Sequence, residues 1–152
     1  MNTIRKWVTS DAERQAVIAA AHDGDLALVA DDLPLRANLS VLENIAIVPQ
    51  YRENMAYERA ADLAWTLLVR LDRTDCAFKR DPDLTREERF IAKLLRAVMR
   101  SPSIILVDRP GLLLPDSHYP PFVDAVMAAL ADKINECWIV DYTWNEPLYA
   151  PR

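Results

Sequence analysis

Ser103-Ile104-Ile105-Leu106-Val107-Asp108-Arg109-Pro110 is the stretch that decides the fold of this chain. Ile104 to Val107 is apolar without interruption and rich in β-branched residues, so no side chain is left to turn toward water. That is the pattern of a strand buried on both faces of a sheet. The run stops at Asp108, and the proline-rich stretch that opens with Pro110 prevents its continuation. A strand buried in this way needs neighbours of the same kind. Leu26 to Ala30, after Gly24, and Trp138 to Val140 are equally apolar, and Ile4 to Val8 is read as a further short strand.

Helical periodicities separate these runs. Ser10, with Glu13 three residues on, has the spacing of a capping box and opens a helix after the first strand. Around Asn54 another helix is predicted to begin, with Ala60, Leu63, Ala64, Leu67, Leu68 and Leu71 along one face. Thr85 and Glu88 form a second capping box, ahead of Ile91, Leu94, Leu95 and Val98 at helical spacing. The last helix has Pro120 and Pro121 near its start and Val123, Val126, Met127, Leu130 and Ile134 on its buried face. Strands alternating with helices predict an α/β fold with a parallel sheet covered on both faces, in a single domain over residues 1–152.

Composition excludes several classes of function. The chain of 152 residues has a net charge of −5, and its Lys and Arg are scattered, which leaves no basic footprint for nucleic acid. No apolar run approaches the roughly 20 residues of a spanning helix, so no direct membrane insertion is expected. Met1 to Ala21 carries Arg5, Lys6, Asp11, Glu13 and Arg14 and lacks an apolar signal core, from which a cytoplasmic protein is expected. Cys76 and Cys137 have no CxxC partner and read as structural thiols, and His22 and His118 are isolated. Neither a metal nor a cofactor is predicted.

Three segments, in order and spacing, are similar to motifs of the ATP-binding cassette (ABC) ATPases. Asn38-Leu39-Ser40-Val41-Leu42-Glu43-Asn44-Ile45 resembles the segment that follows the family's Q-loop, and Leu84-Thr85-Arg86-Glu87-Glu88-Arg89 stands where its LSGGE signature would be. Ser103 to Pro110 resembles the Walker B strand. The resemblance covers roughly Asp25 to Tyr142. It implies a P-loop NTPase-like parallel sheet with a helical subdomain at about residues 32–100, in a chain short at both ends relative to the family. Met1 to Ala21 is expected to supply a replacement strand and helix.

Each motif departs from the family where the chemistry resides. A phosphate cradle needs glycines, because only a residue without Cβ lets successive backbone N–H groups converge, and it needs a lysine to reach the β and γ phosphates. The chain has two glycines, Gly24 and Gly111, and neither begins a GxxxxGK[ST] motif. The resemblance places Asp31 at the Q-loop glutamine, and Arg86 and Glu87 at the signature glycines, between Thr85 and Glu88. Asp108 matches the metal-positioning aspartate and is the one weak candidate metal ligand, with a loop-capping carboxylate as the preferred reading. Arg109 stands at the general base, and a guanidinium cannot accept a proton from water. Tyr142 stands at the switch histidine.

The resemblance therefore implies an inactive homologue with no catalytic residues, a structural or regulatory subunit in a transporter-related complex. Its partner would be a protein: a second copy, an active ABC ATPase, or a permease subunit that would hold it peripherally at the inner membrane. The alternative is an ATP-binding subunit whose nucleotide site is completed by another chain; a third reading is a scaffold for an unrelated small ligand. Arg109 is expected to pair with Asp108, Glu87 or Asp116. Leu112-Leu113-Leu114, at the family's D-loop, is read as an interface loop. Leu33, Leu35, Ile45, Ile47, Val48 and Tyr51 are read mostly as core, with some left for a docking groove.

Overall fold

The four apolar runs form strands in the computed structural model, which describes residues 1–151. They are β1 (Asn2–Val8), β2 (Leu26–Val29), β3 (Ile104–Asp108) and β4 (Glu136–Tyr142). All pairings are parallel, in the order β1-β4-β3-β2, with Ile4 opposite Trp138, Ile105 opposite Cys137 and Ala27 opposite Ile105.

Strand order and crossover handedness dictate the layers. From β1 the chain passes through α1 (Asp11–His22) to the far edge at β2, then returns one strand at a time. The return to β3 runs through α2 (Val41–Arg52), α3 (Tyr57–Arg70) and α4 (Arg86–Val98); the return to β4 runs through α5 (Pro110–Leu113) and α6 (Tyr119–Ala129). Right-handed crossovers in opposite directions put their helices on opposite faces. Accordingly Ala27, Val29, Ile105, Val107, Cys137 and Ile139 pack against the helices from α2 to α6. Leu26, Leu106, Val140 and Val8 pack against Ala21 of α1. The second face has only this one helix, so Leu28, Ile104, Trp138 and Tyr142 there are only partly buried.

Several boundaries differ from the sequence reading. Asn54 does not start a helix: it adopts a left-handed φ of 51° between α2 and α3, and α3 begins at Tyr57. Of its predicted stripe, Ala60, Ala64, Leu67 and Leu68 are buried and Leu63 is exposed. The helix before it, α2, is an addition, closed by a capping box between Ser40 and Glu43. Thr85 and Glu88 form the predicted box at α4, whose Ile91, Leu94, Leu95 and Val98 are all buried. In α6 the helix ends at Ala129, so Leu130 and Ile134 are buried just beyond it.

The Asn38-to-Ile45 segment has a clear structural purpose. The buried Asn44 accepts from the Arg36 N–H (2.8 Å) and donates to the carbonyls of Arg36, Leu39 and Ser40 (3.1, 3.2 and 3.0 Å). One amide side chain thus satisfies the backbone of the turn that leads into α2. Val41 and Leu42 then bond the carbonyls of Lys79 and Ala77, which fixes the start of α2 to the loop before α4.

Candidate functional site

In an open parallel sheet, ligands bind beyond the carboxyl ends of the strands, where neighbouring connections leave to opposite faces. Here that reversal lies between β1, which is followed by α1, and β4, which is followed by the 3₁₀ segment Thr143–Tyr149 on the other face. Asp108, Arg109 and Tyr142 all lie at this edge.

The connection from β1 to α1 is only Thr9-Ser10. Ser10 caps the helix by accepting from the Glu13 N–H (3.1 Å). Glu13 does not complete a box to Ser10; its carboxylate accepts from the Thr9 N–H at 2.8 Å and from the Thr9 hydroxyl. These bonds hold its carboxyl below the usual range. Glu13 and Asp11 thereby set negative charge beside the helix N-terminus, which would otherwise favour an anion.

Asp108 is 2% exposed and sits between two guanidinium groups. Arg14, from the first turns of α1, donates through Nη1 at 2.8 Å and also grips Asp11; Arg109 donates through Nε at 3.2 Å and Nη2 at 3.4 Å. Of the three partners foreseen for Arg109, the one it takes is Asp108. Burial still pushes the Asp108 carboxyl up, against the Arg109 hydrogen bond and the charges of Arg109 and Arg14. Arg109 adopts a left-handed φ of 47° and ties its N–H to the Val140 carbonyl at 2.8 Å.

These residues do not fit a magnesium nucleotide. A metal shared between Asp108 and phosphates would need the place that Arg14 holds, and phosphates would face the Glu13 carboxylate across a two-residue turn without glycine. Among the described residues no group of three His, Cys, Asp or Glu side chains is disposed to hold a metal.

The other motif positions lie elsewhere. Asp31 follows β2 with an exposed side chain; its backbone and that of Ala30 face the buried Lys93 ammonium, at 3.5 and 2.9 Å. Arg96 holds the next carbonyls, Leu33 at 2.8 Å and Pro34 at 2.7 Å. Burial pushes the Lys93 amine down. Thr85 lies eight positions before Lys93 on α4, roughly 12 Å along the axis. There Glu88 bonds the Thr85 N–H (2.9 Å) and Lys79 (3.4 Å), Glu87 faces Arg73 at 3.7 Å, and Arg86 is exposed.

Leu112-Leu113-Leu114 corrects the interface reading. Leu113 and Leu114 are buried, and only Leu112 is exposed, because α5 turns the last two leucines into the core. Of the proposed docking residues Leu35 and Ile45 are core, while Leu33 and Tyr51 are exposed.

Sequence reasoning missed Arg14, Lys93, Arg96 and Asp141. Lys93 had a signal, since it falls between Phe90 and Ala97 on the buried side of α4. Asp141, next to last in β4, is fully satisfied: it accepts from Tyr119 (2.9 Å), Tyr149 (2.8 Å), Asn145 (2.9 Å) and the Tyr142 N–H (2.8 Å).

No protein-family profile and no curated protein matches the chain. Solved structures do. The ATP-binding cassette MJ0796, as a dimer in a post-hydrolysis state with ADP and Pi, is 21% identical and aligns over 90% of this chain and 58% of its own at a TM-score of 0.63. A second dimeric structure of MJ0796, a bacterial ABC transporter cassette, matches to the same extent: 21% identity, 90% and 58% coverage and a TM-score of 0.63. An ABC transporter of metal-chelate type, in an inward-facing conformation, is 14% identical and aligns over 95% of this chain and 64% of its own at a TM-score of 0.75. The fold is therefore that of the ABC ATPases, an α/β P-loop NTPase-like fold. The chain spans 58–64% of the length of these structures.

Proposed function

We propose that this ABC ATPase-like chain acts by binding another protein and does not hydrolyse ATP. One observation carries the reading: at the carboxyl edge of the sheet, Arg14 and Arg109 pair the Asp108 carboxylate with the protein's own charges. A guanidinium at position 109 has no free pair to take a proton from water, and Glu13, bonded to Thr9, sets a negative charge beside the N-terminus of α1. The role is structural or regulatory, in a complex related to ABC transport. Two of the solved structures that share the fold are dimers, which supports self-association; an active ATPase or a permease subunit is the other partner class, the latter placing the chain at the inner face of a membrane. Among the described residues no helix is long and apolar enough to cross a membrane itself.

The test is phosphate release from Mg-ATP by the purified chain, alone and mixed with a candidate partner cassette. No turnover by the lone chain, and turnover of the mixture no greater than that of an Arg109→Ala mixture, is the expected result. Turnover that appears only in the mixture and is lost in Asp108→Asn establishes the rival, a nucleotide site completed by a second chain.

A further inference from the structure

Beside the crevice, on the side away from α1, lies a cavity of about 360 Å³ that the reading above does not use. We propose that it is a binding site for a small aromatic acid, a planar ring carrying a carboxylate. The inference stands apart from the question of ATP: it uses Arg109 only through the N–H that Asp108 leaves open, and it does not use the N-terminus of α1.

The lining is unusual for a solvent-facing surface. Trp144 is 63% exposed, Leu112 46% and Leu148 41%, and these three converge on the one cavity. Trp144 is held parallel to Tyr142, with ring centres 4.3 Å apart and planes 8° from each other. A ring pair fixed in this way offers a flat apolar face at little further cost in side-chain freedom. Leu112 and Leu148 add aliphatic surface to the same lining. The volume falls at the small end of ligand pockets, of about 300–1,000 Å³.

The polar groups choose the charge of the ligand. Asp141 lies at the floor, 2% exposed, and its acceptors are taken by Tyr119, Tyr149, Asn145 and the Tyr142 N–H, so it keeps its charge but presents no open oxygen for a ligand to bond. The other charge in the lining is Arg109. Its Nε and Nη2 lean on Asp108, which it shares with Arg14, while Nη1 has no partner among the described residues. A guanidinium with an open N–H beside an aromatic wall matches a carboxylate attached to a ring. Two features hold the floor in shape. Arg109 sits in a left-handed conformation that is uncommon for a non-glycine residue, and a Cβ at Gly111 would lie 3.1 Å from the Tyr119 ring.

Indole-3-acetate is the probe, with its neutral amide, indole-3-acetamide, as control. Binding is followed by calorimetry and by the indole N–H resonance of Trp144, assigned with Trp144→Phe. The expected result is saturable binding of the acid at roughly millimolar concentration or tighter, and at least tenfold weaker binding of the amide. Leu112→Glu, which places a negative charge at the exposed rim, should weaken the acid about tenfold with the circular dichroism spectrum unchanged. Arg109→Gln should remove the preference of acid over amide. No shift of the Trp144 resonance at about 5 mM acid, or equal binding of acid and amide, overturns the proposal. So does a dimer that Leu112→Glu dissociates and the acid leaves intact, since the patch would then be an interface between copies.

Discussion

The Asp108 carboxylate, at the end of its strand, is held by the Arg14 and Arg109 side chains and not by loop N–H groups, which corrects its reading as a loop cap. Its position at the end of an apolar strand and its pairing with the adjacent Arg109 are local and therefore legible. Arg14 comes from 94 residues earlier and is brought there only by the crossover from β1, which no spacing in the sequence reveals. Because Asp108 is buried, Arg14→Ala leaves its charge with one partner. The expected loss is about 2 kcal/mol, less than the ~3–5 of an unshared buried pair because Arg109 remains. The double replacement Arg14→Met with Asp108→Leu should recover most of it, and urea unfolding of both variants reads the difference. The thiols are a second case. Burial pushes Cys137 up to about 12 and raises Cys76 as well, so neither supplies thiolate near neutral pH. Ellman's reagent at pH 8 should label neither until urea unfolds the chain; rapid labelling of the native protein would contradict their burial.

Element starts were read most sharply where a cap met an amphipathic stripe; α3, a stripe without a side-chain cap, was found but begun too early. Helix α4 has both, with Thr85 and Glu88 at its start and a stripe from Phe90 to Val98. Helix α2 has an equally good cap in Ser40 and Glu43, but Val41, Leu42, Ile45, Ala46, Ile47 and Val48 leave no polar face, and Pro49 lies inside it. Such a segment reads as a loop or a strand until its packing is known. The leucines at 112–114 failed in the opposite sense: two prolines suggested an exposed loop, and one helical turn buried two of the three. Since Ser40 and Thr85 cap different helices, Ser40→Ala and Thr85→Ala should each cost about 1 kcal/mol in thermal unfolding and sum in the double variant. A double variant far from the sum would mean that the bridge between Ser40 and Arg80 couples the two caps.

For the whole molecule, parallel strands followed from the apolar runs and the helices between them from periodicity and caps, while the strand order came only with the structure. What the sequence could not convey is that one sheet face carries a single helix, because that depends on which way the chain turns after β1. Charge acts at this scale too. Thr9 hydrogen bonds lower Glu13, and Ser40 hydrogen bonds lower Glu43, so both carboxyls are stronger acids folded than unfolded. The unfolded chain then binds more protons in acid, and this stabilisation, complete above the ordinary carboxylate range, is lost as pH falls below about 4. Asp108, raised by burial, works in the opposite direction and offsets part of the slope. Asp132, lowered by its hydrogen bond from Arg70, acts with Glu13 and Glu43, so melting temperature should fall on acidification, more shallowly than these three carboxyls alone would give. The central claim, a crevice closed to nucleotide by the protein's own charges, is tested most directly by calorimetry and thermal unfolding of the purified chain with Mg-ATP. The account predicts no heat and no change in melting temperature at about 1 mM. Saturable binding near 10 μM, which at that concentration would add about 2.7 kcal/mol and raise the melting temperature by roughly 5–10 °C, would contradict it.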